Sequence, residues 1–137
     1  MRALQKITAS CVLLATVALS TSAIAGPKIE NWTTDTGLRV FYVGIDDLPM
    51  LDLSLSFDAG SSRDGEQYGV ASMTMGMMDK GAAGMDANKL AEVFEDVGAN
   101  FYTNASRDMA NIGLRTITLE KPFKSAVDNW LAVIESP

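Results

Sequence analysis

The sequence predicts an α+β domain in which helices cover an antiparallel or mixed sheet. Apolar and polar residues alternate from Leu51 to Phe57, which is typical of a strand with one buried face. Apolar residues recur at helical spacing in residues 90–97 and again in residues 126–134. The order along the chain is strands, two helices, strands and a final helix. This order favours a layered α+β domain over a doubly wound fold.

Residues 1–25 have the layout of a secretory signal peptide. Two basic residues, Arg2 and Lys6, precede the apolar run Cys11–Leu19, and small residues lead up to Ala25. The run is too short to cross a bilayer, and no second apolar stretch follows as a stop-transfer segment, which argues against a retained anchor. We therefore expect cleavage after Ala25, export to the periplasm, and a mature chain with no membrane span.

The mature chain, residues 26–137, has the length of one domain. Loss of Arg2 and Lys6 leaves nine basic residues against 17 acidic ones, a net charge of −8. This acidity argues against a nucleic-acid partner. The one cysteine of the chain, Cys11, leaves with the signal peptide, so we expect no disulfide and a fold stabilised by its core alone.

The first part of the mature chain is predicted to consist of strands and turns. A turn at Thr36–Gly37 precedes the β-rich segment Leu38–Val43. A second turn, Asp46–Pro49, leads to the alternating strand Leu51–Phe57. The segment Ala59–Gly65, rich in glycine and serine, then breaks the alternation and predicts a loop.

Two helices are predicted next. The first spans about Tyr68–Lys80 despite two glycines, and the segment Gly81–Gly84 ends it. Asp86 is a suitable N-cap for the second helix, and Gly98 is a natural stop after it. The apolar residues at helical spacing in the second helix are Leu90, Val93, Phe94 and Val97.

The last part of the chain is predicted to hold two strands and a helix. Phe101–Ala105 and Ile112–Leu119 have strand composition and flank a turn at Ser106–Asp108. The last helix begins at Lys121 and Pro122, since proline is tolerated in a first helical turn. Pro137 follows this helix without a capping tail, so we expect the chain to be a fragment of a longer protein. The residues expected on the apolar side of this helix are Ala126, Trp130, Leu131 and Ile134.

Two adjoining segments carry a resemblance to a known family. Gly60–Asp64 and Gly69–Ala82 resemble the part of the insulinase/pitrilysin metallopeptidases that bears the inverted H-x-x-E-H zinc motif. The surrounding order of hairpin, motif helix, Lys-Gly, second helix and strand is similar as well. The resemblance extends from about Asn31 to Pro137. It implies that residues 26–137 are the N-terminal portion of an insulinase-like peptidase domain.

The zinc-binding residues of that family are missing from this sequence. In the family, two histidines four residues apart bind zinc, and the glutamate between them takes a proton from the metal-bound water. The resemblance places these positions at Ser72, Met75 and Gly76, and none of the three side chains does that chemistry. The chain contains no histidine at all. We therefore expect no catalytic residue, no bound metal and no cofactor.

The resemblance implies a non-catalytic role. Family members often work in pairs, in which a subunit that has lost the motif completes a closed chamber with an active one. We expect an exported pseudo-peptidase subunit that forms a heterodimer with a catalytic insulinase-like subunit and helps to enclose a peptide substrate. The alternatives are a structural scaffold, like the family-related core subunits of respiratory complexes, and an unrelated activity supplied by a further part of a longer protein.

A cluster of methionines offers a weaker alternative. Met73, Met75, Met77 and Met78 lie within six residues, and Met73 and Met77 share a helical face. Thioethers are soft ligands that suit Cu(I). We favour core filling instead, because methionine adapts its shape to irregular gaps.

Acidic and serine residues give no stronger site. Glu92, Glu95 and Asp96 lie on one side of the second helix, where we expect a solvated face rather than an acid–base pair or a Ca²⁺ site. The serines have no histidine to activate them, so a hydrolytic triad is unsupported.

Overall fold

The computed structural model describes residues 26–137, which divide into two compact units at Asp46 and Asp47. The predicted signal peptide, with Cys11 and the cleavage point after Ala25, lies outside the described residues. Within residues 26–137, no helix is long and apolar enough to cross a membrane.

The first unit contains an antiparallel hairpin of β1 (Ile29–Thr33) and β2 (Arg39–Val43). Its turn is closed by a hydrogen bond of 2.9 Å from the backbone N–H of Gly37 to the carbonyl of Thr34. Gly37 has a φ of 87°, a left-handed conformation that glycine adopts without strain. The turn predicted at Thr36–Gly37 is therefore confirmed.

The second unit contains five strands and three helices. The loop after its first strand includes one turn of 3-10 helix, Ser61–Arg63. In chain order the elements are β3 (Met50–Phe57), α1 (Val70–Met77), β4 (Gly81–Ala82), β5 (Met85–Asp86), α2 (Ala87–Glu95), β6 (Asn100–Ala105), β7 (Ala110–Ile117) and α3 (Glu120–Glu135).

The main sheet of this unit is antiparallel and has the strand order β3-β7-β6. Leu114 of the central strand β7 lies opposite Leu53 on one side and Phe101 on the other. One face of β7 is buried, including Leu114, which is fully buried, and Thr116, at 1% exposed. Apolar residues of all three helices join this face in one core, so the predicted α+β fold with a helix-covered sheet is confirmed.

The opposite face of the sheet is more polar. Arg115 of β7 donates from Nε to Asp52 Oδ1 of β3 at 2.6 Å and from Nη2 to Asp52 Oδ2 at 2.9 Å. Hydrogen bonding from this guanidinium lowers the pKa of the Asp52 carboxyl below its ordinary value. On the same face Tyr102 lies directly over Gly113, whose missing side chain makes room for the aromatic ring.

Helix α2 forms as predicted. Asp86 is its N-cap, and the Asp86 carboxylate accepts a hydrogen bond of 2.8 Å from the backbone N–H of Lys89. Leu90 is 2% exposed and Phe94 4%. Gly98, at a φ of 64°, takes the left-handed conformation after the helix and donates its N–H to a carbonyl of the last turn.

Helix α1 is shorter than predicted, and the segment after it is a hairpin. The helix covers Val70–Met77 rather than Tyr68–Lys80, because Gly69 precedes it in a left-handed conformation at a φ of 93°. The segment Gly81–Gly84, predicted only to end the helix, forms β4 and the turn into β5, with two successive turn residues at positive φ.

Helix α3 begins at Glu120, one residue before the predicted start. Ala126 is fully buried and Trp130 is 9% exposed, as predicted. The prediction for Leu131 was wrong, since this side chain is 42% exposed, whereas Val133 is fully buried. Positions 126, 130 and 133 share one face of an α-helix, whereas position 131 is rotated about 100° around the helix axis from position 130.

The strands deviate from their predicted limits at two points. Phe57, expected on the buried face of β3, is 41% exposed at the end of the strand. β7 covers Ala110–Ile117 rather than Ile112–Leu119. The turn before it is confirmed, with a hydrogen bond of 2.8 Å from the backbone N–H of Ser106 to the carbonyl of Met109.

Candidate functional site

The loop before α1 holds the start of that helix. The first N–H groups of a helix have no partner within it. The Asp64 carboxylate accepts hydrogen bonds from the backbone N–H groups of Gly69, at 2.8 Å, and Ala71, at 2.9 Å. In the same loop Arg63 Nε donates to Asp58 Oδ1 at 2.9 Å, and this bond raises the pKa of Arg63. Asp64 therefore caps α1 from outside the helix, where a negative charge also complements the helix dipole.

Gly60 allows this loop to lie directly on the turn between β6 and β7. The backbone N–H groups of Ser61 and Ser62 donate to the carbonyls of Ser106, at 3.0 Å, and Arg107, at 2.8 Å. A Cβ atom added at Gly60 would lie 2.4 Å from the carbonyl oxygen of Arg107. Only glycine fits this approach, which gives a physical reason for the first residue of the Gly60–Asp64 segment.

The other end of α1 is tied to β6. Thr103 Oγ1 donates a hydrogen bond of 2.7 Å to the backbone carbonyl of Met75 in the last turn of the helix. The same carbonyl accepts a longer hydrogen bond, of 3.4 Å, from the backbone N–H of Met78. The Met75 side chain is 7% exposed and belongs to the core. The resemblance assigns this position to the family's glutamate, and here it holds a buried thioether, which accepts no proton from water.

Ser72 and Gly76 lie one helical turn apart on α1, and both are exposed. A Cβ atom added at Gly76 would meet nothing within 4 Å, so the helix leaves space for a larger side chain there. The space is present, but a hydroxyl group and a hydrogen atom do not replace two imidazoles. Within residues 26–137, no group of three or more His, Cys, Asp or Glu side chains is placed to hold a metal. The residues present do not fit the zinc ion of the family motif.

The methionines of α1 are divided between the core and the surface. Met73 is 73% exposed and Met77 59%, whereas Met75 is 7% exposed. The prediction that these methionines fill the core is therefore confirmed for Met75 and wrong for Met73 and Met77. Met73 and Met77 line one side of a groove of about 550 Å³, whose wall also includes Val70 and Pro137.

The acidic residues of α2 do not form a site. Glu92, Glu95 and Asp96 are all exposed, as expected for a solvated face. Glu92 Oε2 accepts a hydrogen bond of 2.9 Å from Lys89 Nζ within the same helix. Such an exposed pair contributes little to stability and does not activate a carboxylate.

Two bacterial proteins are among the solved structures with a similar fold. The crystal structure of a peptidase M16 inactive domain from Pseudomonas fluorescens has a TM-score of 0.75 and 38% sequence identity, and the match covers 78% of this chain and 26% of that one. The crystal structure of a protease from Helicobacter pylori has a TM-score of 0.67 and 19% identity, over 80% of this chain and 26% of that one. The second likeness concerns the fold alone.

The sequence itself matches a protein family over most of the second unit. Residues 49–137 match the family described as Insulinase (Peptidase family M16). No curated protein matches the chain. The chain spans about a quarter of the length of the two solved structures, at 26% of each. On the family match and the shared fold, the chain belongs to the insulinase family, peptidase family M16.

Proposed function

We propose that the protein is an exported, non-catalytic member of the insulinase family. In this proposal it pairs with a zinc-bearing subunit of the same family and helps to enclose a peptide substrate. The observation that carries the proposal is the composition of α1. The three positions that hold zinc ligands and the general base in the family are Ser72, Met75 and Gly76, which supply neither imidazole nor carboxylate.

The surroundings of α1 support a structural role rather than a damaged enzyme. Asp64 holds the start of the helix, and Thr103 holds its end. Met75 adds apolar area to the core at the position where an active enzyme has a carboxylate. A fold that keeps the motif helix in place without its metal is suited to forming the wall of a chamber.

The comparison and the N-terminal sequence support two further parts of the proposal. The Pseudomonas fluorescens structure, at 38% identity, is described as an inactive domain of this peptidase family. The layout of residues 1–25 favours export. Pairing and substrate enclosure are properties of a whole protein. The match to this chain covers 26% of the length of that relative.

The test is reconstitution with a candidate partner. The full-length protein would be purified alone and together with the product of a neighbouring gene that has an intact H-x-x-E-H motif. We expect the protein alone to retain no zinc and cleave no peptide. Mixing should produce a heterodimer in size-exclusion chromatography and a higher rate of peptide cleavage than the partner gives alone.

Controls assign the activity to one subunit. A partner in which the motif glutamate is replaced by glutamine should still form the heterodimer but should cleave nothing. Stoichiometric zinc together with proteolysis by the protein on its own would overturn the proposal. A heterodimer without any gain in cleavage would instead favour the scaffold alternative.

A further inference from the structure

We draw no further inference here: the strongest candidate, the apolar groove beside α1 that Val70, Met73 and Met77 line, is a face of the second unit for which nothing within residues 26–137 shows what covers it.

Discussion

Placing two histidines on α1 should create a metal site in this chain. The variant Ser72→His/Gly76→His positions two imidazoles one helical turn apart on an exposed helix face. A Cβ atom at Gly76 meets nothing within 4 Å, so the first atom of a new side chain there meets no clash. Two imidazoles with this spacing bind divalent zinc or nickel, whereas the native side chains do not.

The expected stabilisation of the double-histidine variant follows from helix propensity and from the binding of metal to the folded state alone. Replacing a glycine by histidine inside a helix stabilises it by roughly 0.3 to 0.5 kcal/mol. Metal that binds only the folded state, at a free concentration a hundred times its Kd, adds about 2.7 kcal/mol. For a domain of this size, that stabilisation raises the Tm by roughly 10 °C or more.

The assay is thermal unfolding of the purified protein with zinc and with a chelator. A matched control, Ser72→His/Met73→His, carries the same two imidazoles at neighbouring positions that do not face each other. The Tm of the double variant at positions 72 and 76 should rise with zinc, and the Tm values of the native chain and the control should not. Equal zinc stabilisation of the native chain would refute the reasoning, as would a folded variant that gains nothing.

Three further substitutions test contacts that the fold depends on. Asp64→Ala leaves two backbone N–H groups at the start of α1 without their acceptor. It should lower the free energy of unfolding, measured in urea titrations, by about 1 to 3 kcal/mol. No loss of stability would show that water replaces the carboxylate. Gly113→Ala places a Cβ atom 2.0 Å from the Tyr102 ring and should lower the free energy of unfolding by about 1 to 3 kcal/mol. Combining it with Tyr102→Ala should recover part of that loss. No recovery would contradict the assigned clash. Asp52 has a pKa held below its ordinary value of 3.8 by the hydrogen bond from Arg115, so its stabilising effect is complete above 3.8 and is lost as the pH falls through the lower folded value. Arg115→Gln should therefore reduce the loss of stability in acid, and an unchanged acid titration would show that the pair contributes nothing.

Local signals in the sequence were enough to predict α2. An N-cap side chain acts within three residues, which is why Asp86 marked the start of the helix correctly. The buried residues Leu90 and Phe94 followed from helical spacing, and Gly98 followed from its tolerance of a left-handed φ. Each of these features depends on neighbours within one or two turns, so the sequence carries the whole signal.

The contacts around α1 were not predictable in the same way. Asp64 lies five residues before Gly69, and it reaches the helix only because the intervening loop folds back. Thr103 is 28 residues from Met75 and meets it only when β6 lies against α1. Long-range pairs of this kind have no periodic pattern, since the separation is set by the fold rather than by helix or strand geometry.

Sequence alone determines that this chain contains no histidine, because the presence of an imidazole is a matter of composition and not of folding. Tertiary structure alone decides what the methionines of α1 do. Met73, Met75 and Met77 are the same residue type in one helix, and only the packing of Met75 against the sheet core separates a buried side chain from two exposed ones. Burial depends on which face of a helix meets another element, and that contact forms between segments far apart in the chain.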